Sequence, residues 1–517
     1  MSEIPPVYSA QLGSPFTVLA EDYTTGSDTM VVEDSTKLPN APNIVCLAGD
    51  KSGEFSYSGK NGNNLIGVRV LPGTPNTTWS MGTFAFRGIA AYDVNSLQTR
   101  TRGLQTQINV ITATNSPIVG IEWDTESSNP VLKHIDALGN ELESLDVTFF
   151  DKHYVFGGRS RCLRNRATGE VTYGANPRGD GLILDGSVGD ILVREPAFYG
   201  KFEMDDGTDL ARWWVSARPS AGFSLHPYYY MRGNGIPASE MYSGAYESYG
   251  LIFDGEFRLG SASGKTPVTG GVDYPNLPNN GRFHIDDAEL YASRISPGNA
   301  GCESFWGYCA TQLLMYIEFG TFDIQTALGK GIVDLDSGSG YAGLLTGAHD
   351  IDTRIAENGT GTGSGVNGKT PVCWRGKENH HGHTWKFIIG ANVDPNGDFR
   401  LIKRDGTGTL AGELASGSYE AGVGMATTEG YISGLLSGEL EAFAFLPSSV
   451  ENGADNKYLC DYFWPSNGKN RILRAGGRWS DALRAGPGFR HGDTSASLSH
   501  RIIGARVEIR GQKKEYN

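Results

Sequence analysis

Short β-rich runs, separated about every ten residues by Gly, Asn, Asp and Pro, are the feature that most limits how this chain can fold. Five such runs lie between Phe16 and Ala91, among them TMVVE and LIGVRVL. This spacing is typical of strands joined by tight turns, so we predict a small all-β domain at 1–90. Within it, Asn61-Gly62 favours the positive φ angles of a hairpin turn and predicts a hairpin at 54–71.

The composition of the 517-residue chain excludes several classes of protein. Hydrophobic residues make up 39% of it and 71 residues are glycine, which excludes a disordered or collagen-like chain. A net charge of −14 argues against a nucleic-acid partner. The apolar run at 313–319 is too short to span a membrane, and the opening MSEIPPVYSA lacks the features of a secretion signal. We therefore expect a globular protein of about three domains with no membrane insertion.

A heptad-like pattern follows the first β-rich region. Residues 91–112 contain no Pro, and Thr101 fills the one missing step in a three- and four-residue spacing of apolar side chains: Val94, Leu97, Leu104, Ile108, Ile111. Because the remaining positions are polar, this apolar stripe requires a partner. We predict a helical oligomerisation linker at 91–113. The alternative is a single amphipathic helix that packs on a neighbouring domain.

The rest of the sequence combines β-rich stretches with two helical segments. A β-rich connecting region at 114–189 precedes a large domain at 190–517. Acidic residues at the start of 285–295, and apolar residues at three- and four-residue spacing in 304–319, predict one helix in each segment. The segment 336–368 is rich in Gly, Ser and Thr, which favours loops inside one domain. The predicted fold class is therefore α+β.

A characteristic order of motifs occupies the C-terminal half. It runs from DILVREPAFYGKFE (190–203) through WRGKENHHGHTWKFIIGANV (374–393) and LRAGGRWSDALRAG (473–486) to RIIGARVEI (501–509). This order resembles the C-type-lectin-like, formylglycine-generating-enzyme-like domain of tailed-virus fibre and receptor-binding proteins, including the major tropism determinant class. The GGRW and IGAR blocks are the most specific elements, and the resemblance covers about residues 190–511. The first 115 residues also resemble a tailed-virus module.

The resemblance implies a closed C-type-lectin-like domain with long loops. In this fold the first and last strands pair, so segments near 190–203 and 501–511 are expected to be neighbours in a sheet. The intervening segments would then form long loops on one face. The tryptophans of the motifs are expected to pack in the core: Trp374, Trp385, Trp479.

The cysteines argue against the enzyme activity found in one branch of this fold. That branch oxidises a substrate cysteine with a cysteine pair of its own in the C-terminal region, but here only Cys460 lies beyond Cys373. No GxSxG nucleophile motif occurs either. We therefore expect no enzymatic activity.

Two kinds of potential metal ligand occur in the sequence. His380, His381 and His383 form the densest cluster, and imidazoles at this spacing can bind a divalent metal, but no carboxylate or thiolate partner stands at motif spacing. Two acidic pairs offer oxygen ligands for calcium without matching a defined calcium loop: Asp334 with Asp336, and Asp350 with Asp352. We expect no metal and no cofactor.

The stretch 480–500, between the GGRW and IGAR blocks, forms receptor-exposed surface in the resembling family. Here it mixes arginine and an aromatic residue with small hydroxyl-bearing residues, a combination that suits binding of glycans or protein surfaces. The alternative is a solvated loop without a ligand. The candidate contact residues are Asp481, Arg484, Phe489, Arg490, His491, Asp493 and Thr494.

Together these features predict a virion protein of a tailed virus, located on the head, neck or tail. The N-terminal domain would contact other virion proteins. The linker would join copies of the chain into a homo-oligomer, which we expect to be a trimer. The C-terminal domain would bind a host cell-surface glycan or protein. The alternative is a head decoration or tail-assembly protein without receptor binding, which predicts that 480–500 is buried against another chain.

Overall fold

The computed structural model divides the chain into two compact units, Met1–Asn109 and Val110–Asn517. Strands predominate and helices are few, which is consistent with an α+β or a mainly β class. The residues that the structure describes are 16–38, 40–48, 52–71, 74–87, 116–127, 129–143, 145–205, 207–270, 277, 282–335, 344–347, 355–362, 368–407, 419–438, 443–451, 459–466 and 468–511.

Short strands build the described part of the first unit. They are β1 (Phe16–Val18), β2 (Tyr23–Thr24), β3 (Thr29–Val31), β4 (Asn43–Ala48), β5 (Ser52–Tyr57), β6 (Gly59–Asn61), β7 (Asn64–Ile66), β8 (Arg69–Val70), β9 (Thr78–Trp79) and β10 (Phe84–Arg87). The main sheet has the order β1-β10-β4-β5-β8, while β3-β7-β6 and β2-β9 form two smaller sheets.

The predicted hairpin in the first unit is confirmed. β6 and β7 pair up to Asn61 and Asn64, and Gly62 between them has a φ of +59°. The rings of Tyr23 and Trp79 pack edge-on against Phe55 in the core of this unit, with centroids 5.2 and 6.2 Å from that of Phe55. Turn chemistry and a small aromatic core therefore account for the all-β architecture of this unit.

The described part of the second unit contains many more strands and five short or medium helices. The strands before the long helix are β11 (Val119–Asp124), β12 (Lys133–Ile135), β13 (Ser160–Asn165), β14 (Val171–Tyr173), β15 (Gly189–Pro196), β16 (Tyr199–Asp205), β17 (Leu210–Ser216), β18 (Ser224–Leu225), β19 (Glu240–Gly244), β20 (Tyr249–Phe253), β21 (Glu256–Gly260) and β22 (Ala300–Cys302). The helices are α1 (Val147–Lys152), α2 (Tyr154–Gly157), α3 (Ile285–Ser293), α4 (Phe305–Phe319) and α5 (Ile324–Ala327).

The strands after the long helix α4 complete the second unit. They are β23 (Gly361–Thr362), β24 (Val372–Trp374), β25 (Lys377–Glu378), β26 (Trp385–Val393), β27 (Asp398–Ile402), β28 (Tyr419–Gly424), β29 (Gly430–Leu435), β30 (Pro447–Glu451), β31 (Tyr462–Trp464), β32 (Arg471–Ala475), β33 (Arg490–Thr494), β34 (Ile503–Gly504) and β35 (Val507–Arg510).

Three sheets dominate the second unit. The first has the order β12-β11-β17-β16-β18 and the second the order β14-β13-β15-β19-β35-β22. The third has the order β28-β27-β26-β32-β33-β31-β29-β30, and β34 pairs in parallel with β26. The first two sheets combine strands from 114–189 with strands beyond 190, so hydrogen-bonded sheets run across the boundary that the sequence suggested at 189/190.

The C-terminal strand closes the second sheet, but its neighbour differs from the expected one. β35 and β15 lie in the same sheet, yet β19 stands between them and pairs with both, so the prediction of direct pairing between these segments is wrong. The physical reason is that each edge of a strand accepts one neighbour, and β19 occupies the edge of β15 along residues 192–196. The intervening strand supplies Ser243, whose hydroxyl donates to Glu195 at 2.8 Å.

Both predicted helices are confirmed, as α3 and α4. α4 begins where the Ser304 hydroxyl accepts a hydrogen bond from the backbone N–H of Gly307, and it ends at Gly320 in the left-handed conformation. It is almost wholly buried, and Trp306 fixes it to the third sheet by donating to the carbonyl of Ile402 at 3.1 Å. Among the described residues, no helix is long and apolar enough to cross a membrane.

The core of the second unit contains buried charges. Glu195 accepts hydrogen bonds from Arg159 (2.5 Å) and from the Tyr228 hydroxyl (2.5 Å). Lys377 donates to Glu303 at 2.5 Å. Burial alone would raise the pKa of Glu195, but the charges of Arg159 and Lys377 hold it below its ordinary value. Glu195 is therefore ionised, and its pairing compensates the cost of removing these charges from water.

Replacing Glu508 by Gln is expected to change how stability depends on pH. Burial raises the pKa of Glu508 to about 7, against the opposing effects of Arg232 and the hydrogen bonds from Ser304. The folded state therefore binds this proton more tightly than the unfolded state, so the stabilisation is complete below about pH 4.5 and is lost as the pH rises through about 7. As the pH rises from about 5 to about 8, the free energy of unfolding of Glu508→Gln should therefore increase by roughly 2–3 kcal/mol relative to that of the wild type.

The measurement is urea unfolding of both proteins across this pH range. The exposed Glu126→Gln is the matched control and should track the wild type at every pH. A constant difference between Glu508→Gln and the wild type would contradict the raised pKa.

Candidate functional site

Part of the predicted contact stretch 480–500 is folded into the third sheet. β33 occupies its middle, antiparallel to β32 and parallel to β31. Ahead of β33, Ala482–Arg484 form a short 3-10 turn. Successive side chains of β33 therefore alternate between the two faces of the sheet, and only one face is available to a partner.

Four of the seven predicted contact residues are buried, which corrects that part of the prediction. Phe489, Arg490 and Thr494 have no exposed surface. Arg490 points towards α4, where it donates to Gln312 and lies over the ring of Tyr308, 5.0 Å from its centroid. The alternation of β33 turns Arg490 and Thr494 inward together, because they are four residues apart on one strand.

Phe489 and Asp481 support the surface from below. The Phe489 ring lies 6.3 Å from that of Trp385 and 5.5 Å from that of Trp464, measured between centroids. Asp481 is 7% exposed and accepts hydrogen bonds from the Trp385 indole (2.8 Å) and the Arg478 backbone N–H (2.9 Å). Both residues therefore hold the outer side chains in place.

The remaining predicted residues lie at the surface. Arg484 is exposed, and His491 and Asp493 are half-buried. Asp493 is paired with Arg471, whose Nε donates to it at 2.6 Å. Arg484 and His491 belong to a set of packed aromatic and arginine side chains that we call the arginine-aromatic surface: Trp385, Tyr462, Trp464, Arg474, Arg478, Arg484, His491.

Strand register explains why these residues meet. Trp464 of β31 pairs with His491 of β33, and His491 pairs with Arg474 of β32. Arg474 in turn pairs with Phe387 of β26, two residues after Trp385 on the same strand. Side chains in register on adjacent strands lie side by side on one face of the sheet, so residues from 385 to 491 form one row.

The row is closely stacked. The His491 and Trp464 rings are nearly parallel, with centroids 5.4 Å apart. The Arg474 guanidinium lies 3.8 Å from the centre of the Trp385 ring, and that of Arg484 lies 4.8 Å from the Tyr462 ring. Guanidinium groups this close to aromatic rings gain cation–π attraction, which holds long and flexible side chains in one arrangement.

The electrostatics of the surface are dominated by arginine. Burial and the nearby charges of Arg474 and Arg478 lower the pKa of His491 to about 2, so this imidazole is neutral at physiological pH. Burial raises the pKa of Asp481 above its ordinary value. The positive charge of the surface therefore comes from guanidinium groups, within a chain whose net charge is −14.

Sequence reasoning missed five of the seven members of the arginine-aromatic surface: Trp385, Tyr462, Trp464, Arg474, Arg478. Trp385 is buried as expected, at 7% exposure, but its ring also carries two guanidinium groups. One signal was present, since Tyr462 and Trp464 are two residues apart and therefore share a face of any strand that contains them. The contribution of β26 and β32 came from tertiary pairing alone.

The three histidines of the cluster, His380, His381 and His383, are buried and contact neighbouring residues of the core. His383 is hydrogen-bonded through Nδ1 to Glu247, and the His380 ring stacks on that of Tyr308 with centroids 4.1 Å apart. Burial lowers the pKa of His381 to about 4. Within the described ranges, no group of three or more potential ligands is placed to hold a metal ion.

The remaining candidates from the sequence are the cysteines, the two acidic pairs and the predicted oligomerisation residues. The six cysteines are buried and unbridged, and Cys302 lies in β22 while Cys309 lies in α4. The carboxylate Oδ2 of Asp334 lies 3.6 Å from the ammonium Nζ of Lys330. Outside the described residues lie three carboxylates of the acidic pairs and all predicted oligomerisation residues: Asp336, Asp350, Asp352, Val94, Leu97, Leu104, Ile108, Ile111.

Comparison with known proteins yields only distant similarities. No protein-family model matches the chain, and no curated protein matches it in sequence. Among solved structures it is similar to the Major Tropism Determinant P3c Variant, with 13% identity over 75% of this chain and 84% of that chain and a TM-score of 0.23. The U1 Variant has 12% identity over 75% and 82%, and the M1 Variant 12% over 76% and 85%, each with a TM-score of 0.23.

Proposed function

We propose that this chain is a virion protein of a tailed virus that attaches the particle to the host envelope through the arginine-aromatic surface. The order of motifs in the C-terminal half supports the viral assignment. The observation that carries the binding role is the row of packed aromatic and arginine side chains across β26, β32, β33 and β31. Arginine, tyrosine and tryptophan are the residues that most often dominate binding energy at interfaces.

The surface rests on a rigid support. β33 is hydrogen-bonded on both edges, and Arg490 ties it to α4 through Gln312. Binding groups carried by strands keep their geometry better than groups carried by loops, so less conformational entropy is lost when a partner binds. The buried members of the predicted contact set thus support the site without touching the receptor.

Attachment through this surface is strengthened by assembly. A homo-oligomer, a trimer formed through residues 91–113, would present several copies of the surface on one particle. Linked sites can gain roughly 10²–10⁴ in avidity over a single site, so weak individual sites suffice. The N-terminal unit would then contact other virion proteins, and the protein would need no enzymatic activity and no cofactor.

Removing Arg484 and Trp464 together is expected to abolish adsorption of particles to host cells. Loss of two hot-spot side chains costs about 2–4 kcal/mol per site, which corresponds to at least about a thirtyfold weaker interaction. The experiment compares adsorption of particles that carry wild-type chain or Arg484→Ala/Trp464→Ala. The control is Arg218→Ala, which removes an exposed arginine elsewhere in the same unit.

Measuring how well the double variant is incorporated into particles distinguishes a receptor-binding role from a purely structural role. The double variant should be incorporated into particles as efficiently as the wild type, because Arg484 is exposed and Trp464 is only half-buried. Normal adsorption by such particles would overturn the proposal. Failure to incorporate, with unchanged adsorption of the particles that do form, would point to a head decoration or tail-assembly role.

A further inference from the structure

Arg474 is the most unusual member of the arginine-aromatic surface. It is 4% exposed, and its guanidinium forms no hydrogen bond with any residue that the structure describes. The guanidinium carbon lies over the ring of Trp385, 3.8 Å from the ring centre. A buried guanidinium without a hydrogen-bonded acceptor is costly, because arginine carries five N–H donors and a permanent charge. The site therefore lacks an acceptor.

The neighbouring carboxylates are already engaged by other groups. Asp481 accepts from the Trp385 indole at 2.8 Å and from Nε of Arg478 at 3.1 Å. Asp493 accepts from Nε of Arg471 at 2.6 Å. Neither acid is hydrogen-bonded to Arg474, although both are close enough to influence its charge. Among the residues that the structure describes, none supplies the missing acceptor, so a ligand from outside the chain can complete this site.

The local charge favours an anion. Arg474, Arg478 and Arg484 carry three positive charges, and Asp481 is the one carboxylate hydrogen-bonded to a member of this set among the described residues. Burial is the main cause that lowers the pKa of Arg474 to about 9; the charge of Arg478 adds to this effect, and the charges of Asp481 and Asp493 oppose it. A bound anion would offset both the burial and the repulsion between the two guanidinium groups.

Building on the proposed function, we propose that the arginine-aromatic surface binds an acidic saccharide, whose negative group is held by Arg474 with Arg478 and Arg484 beside it. Arginine matches carboxylate and phosphate groups with two parallel hydrogen bonds. The half-buried rings of Trp464 and Tyr431 border the site and offer apolar surface to a sugar ring. The acidic group supplies charge and orientation, and the sugar ring supplies apolar contact.

An acidic saccharide fits this surface better than an extended acidic peptide. Peptides commonly bind by adding a strand to a free sheet edge. β33 is paired with β32 and β31, and β32 is paired with β26 and β33, so the backbone groups of these strands are already used. Recognition must therefore proceed through side chains.

The test measures binding of three small sugars to the full-length protein by tryptophan fluorescence and calorimetry. Glucuronate and glucose 6-phosphate carry the two possible anionic groups, and glucose is the neutral control. We expect at least one acidic sugar to bind about tenfold or more tightly than glucose. Preference for glucuronate assigns a carboxylate-bearing glycan, and preference for glucose 6-phosphate assigns a phosphate-bearing one. Equal binding of all three sugars, or binding of none at about 10 mM, would overturn the inference.

Variants locate the site. Arg474→Met, which keeps the length of the side chain, should weaken acidic-sugar binding by about tenfold or more, whereas Arg218→Met should leave it unchanged. If Arg474→Met fails to fold, Arg484→Gln at the exposed end of the surface should weaken binding in the same direction. Undiminished binding by the folded variant would overturn the assignment to this surface.

Two outcomes distinguish this inference from the function on which it rests. Particles of the Arg484→Ala/Trp464→Ala variant that lose adsorption, while the wild-type protein binds an acidic hexapeptide and neither acidic sugar, would overturn the inference and support attachment to a protein receptor. Acidic-sugar binding by the wild type with undiminished adsorption of the variant would overturn the attachment role and support the sugar site.

Discussion

Ending the chain at His500 is expected to abolish cooperative folding of the second unit. The deletion removes β34 and β35, and with them four buried aliphatic side chains: Ile502, Ile503, Val507, Ile509. At about 1.5–3 kcal/mol each, their burial contributes roughly 6–12 kcal/mol, which is comparable with the entire stability of a typical domain. The deletion also removes Arg506, whose guanidinium donates to the carbonyls of Gly244 and Glu378.

The readout is near-ultraviolet circular dichroism during thermal unfolding, together with binding of a dye that detects exposed apolar surface. Ending the chain at Gly511 is the matched control, since it keeps both strands and should unfold like the full-length protein. A cooperative transition of wild-type midpoint in the shorter chain would contradict the structural role of the last strands.

Replacing Glu195 by Ala should lower the free energy of unfolding by about 3–5 kcal/mol, the range found when one partner of a buried ion pair is removed. Glu195 has no exposed surface, and the side chains of Arg159 and Tyr228 both donate to it. Without it, the guanidinium of Arg159 remains buried and loses its ionic partner. The measurement is urea unfolding at neutral pH.

A surface ion pair provides the control for this prediction. Glu141 pairs with Lys133 at 3.2 Å, but the two side chains are 63% and 59% exposed. Glu141→Ala should therefore cost less than about 1 kcal/mol. Similar losses for the two variants would show that the buried network does not contribute as inferred.

The local elements were largely predictable from the sequence. The capping and apolar spacing of α3 and α4, and the Asn-Gly turn of the first unit, depend on residues within a few positions of one another. Such patterns keep their meaning in almost any surrounding structure. The buried charges were not predictable in this way, because nothing near Glu195 or Lys377 in sequence distinguishes them from exposed residues.

The candidate site was predicted only in part. The segment 480–500 contains two members of the arginine-aromatic surface, Arg484 and His491, yet Phe489 and Arg490 in the same segment are buried. A one-residue change in strand register would exchange the two faces of β33. The choice of face depends on the partners of β33, which lie elsewhere in the sequence.

The sequence by itself determined where strands, turns and the two main helices form, because these depend on local conformational preferences and on apolar periodicity. Only the tertiary structure decided that β19 separates β15 from β35, and that Trp385, Trp464, Arg474 and His491 form one row. The physical reason is that each strand edge accepts one neighbour, so every pairing depends on all other strands that compete for the same edge.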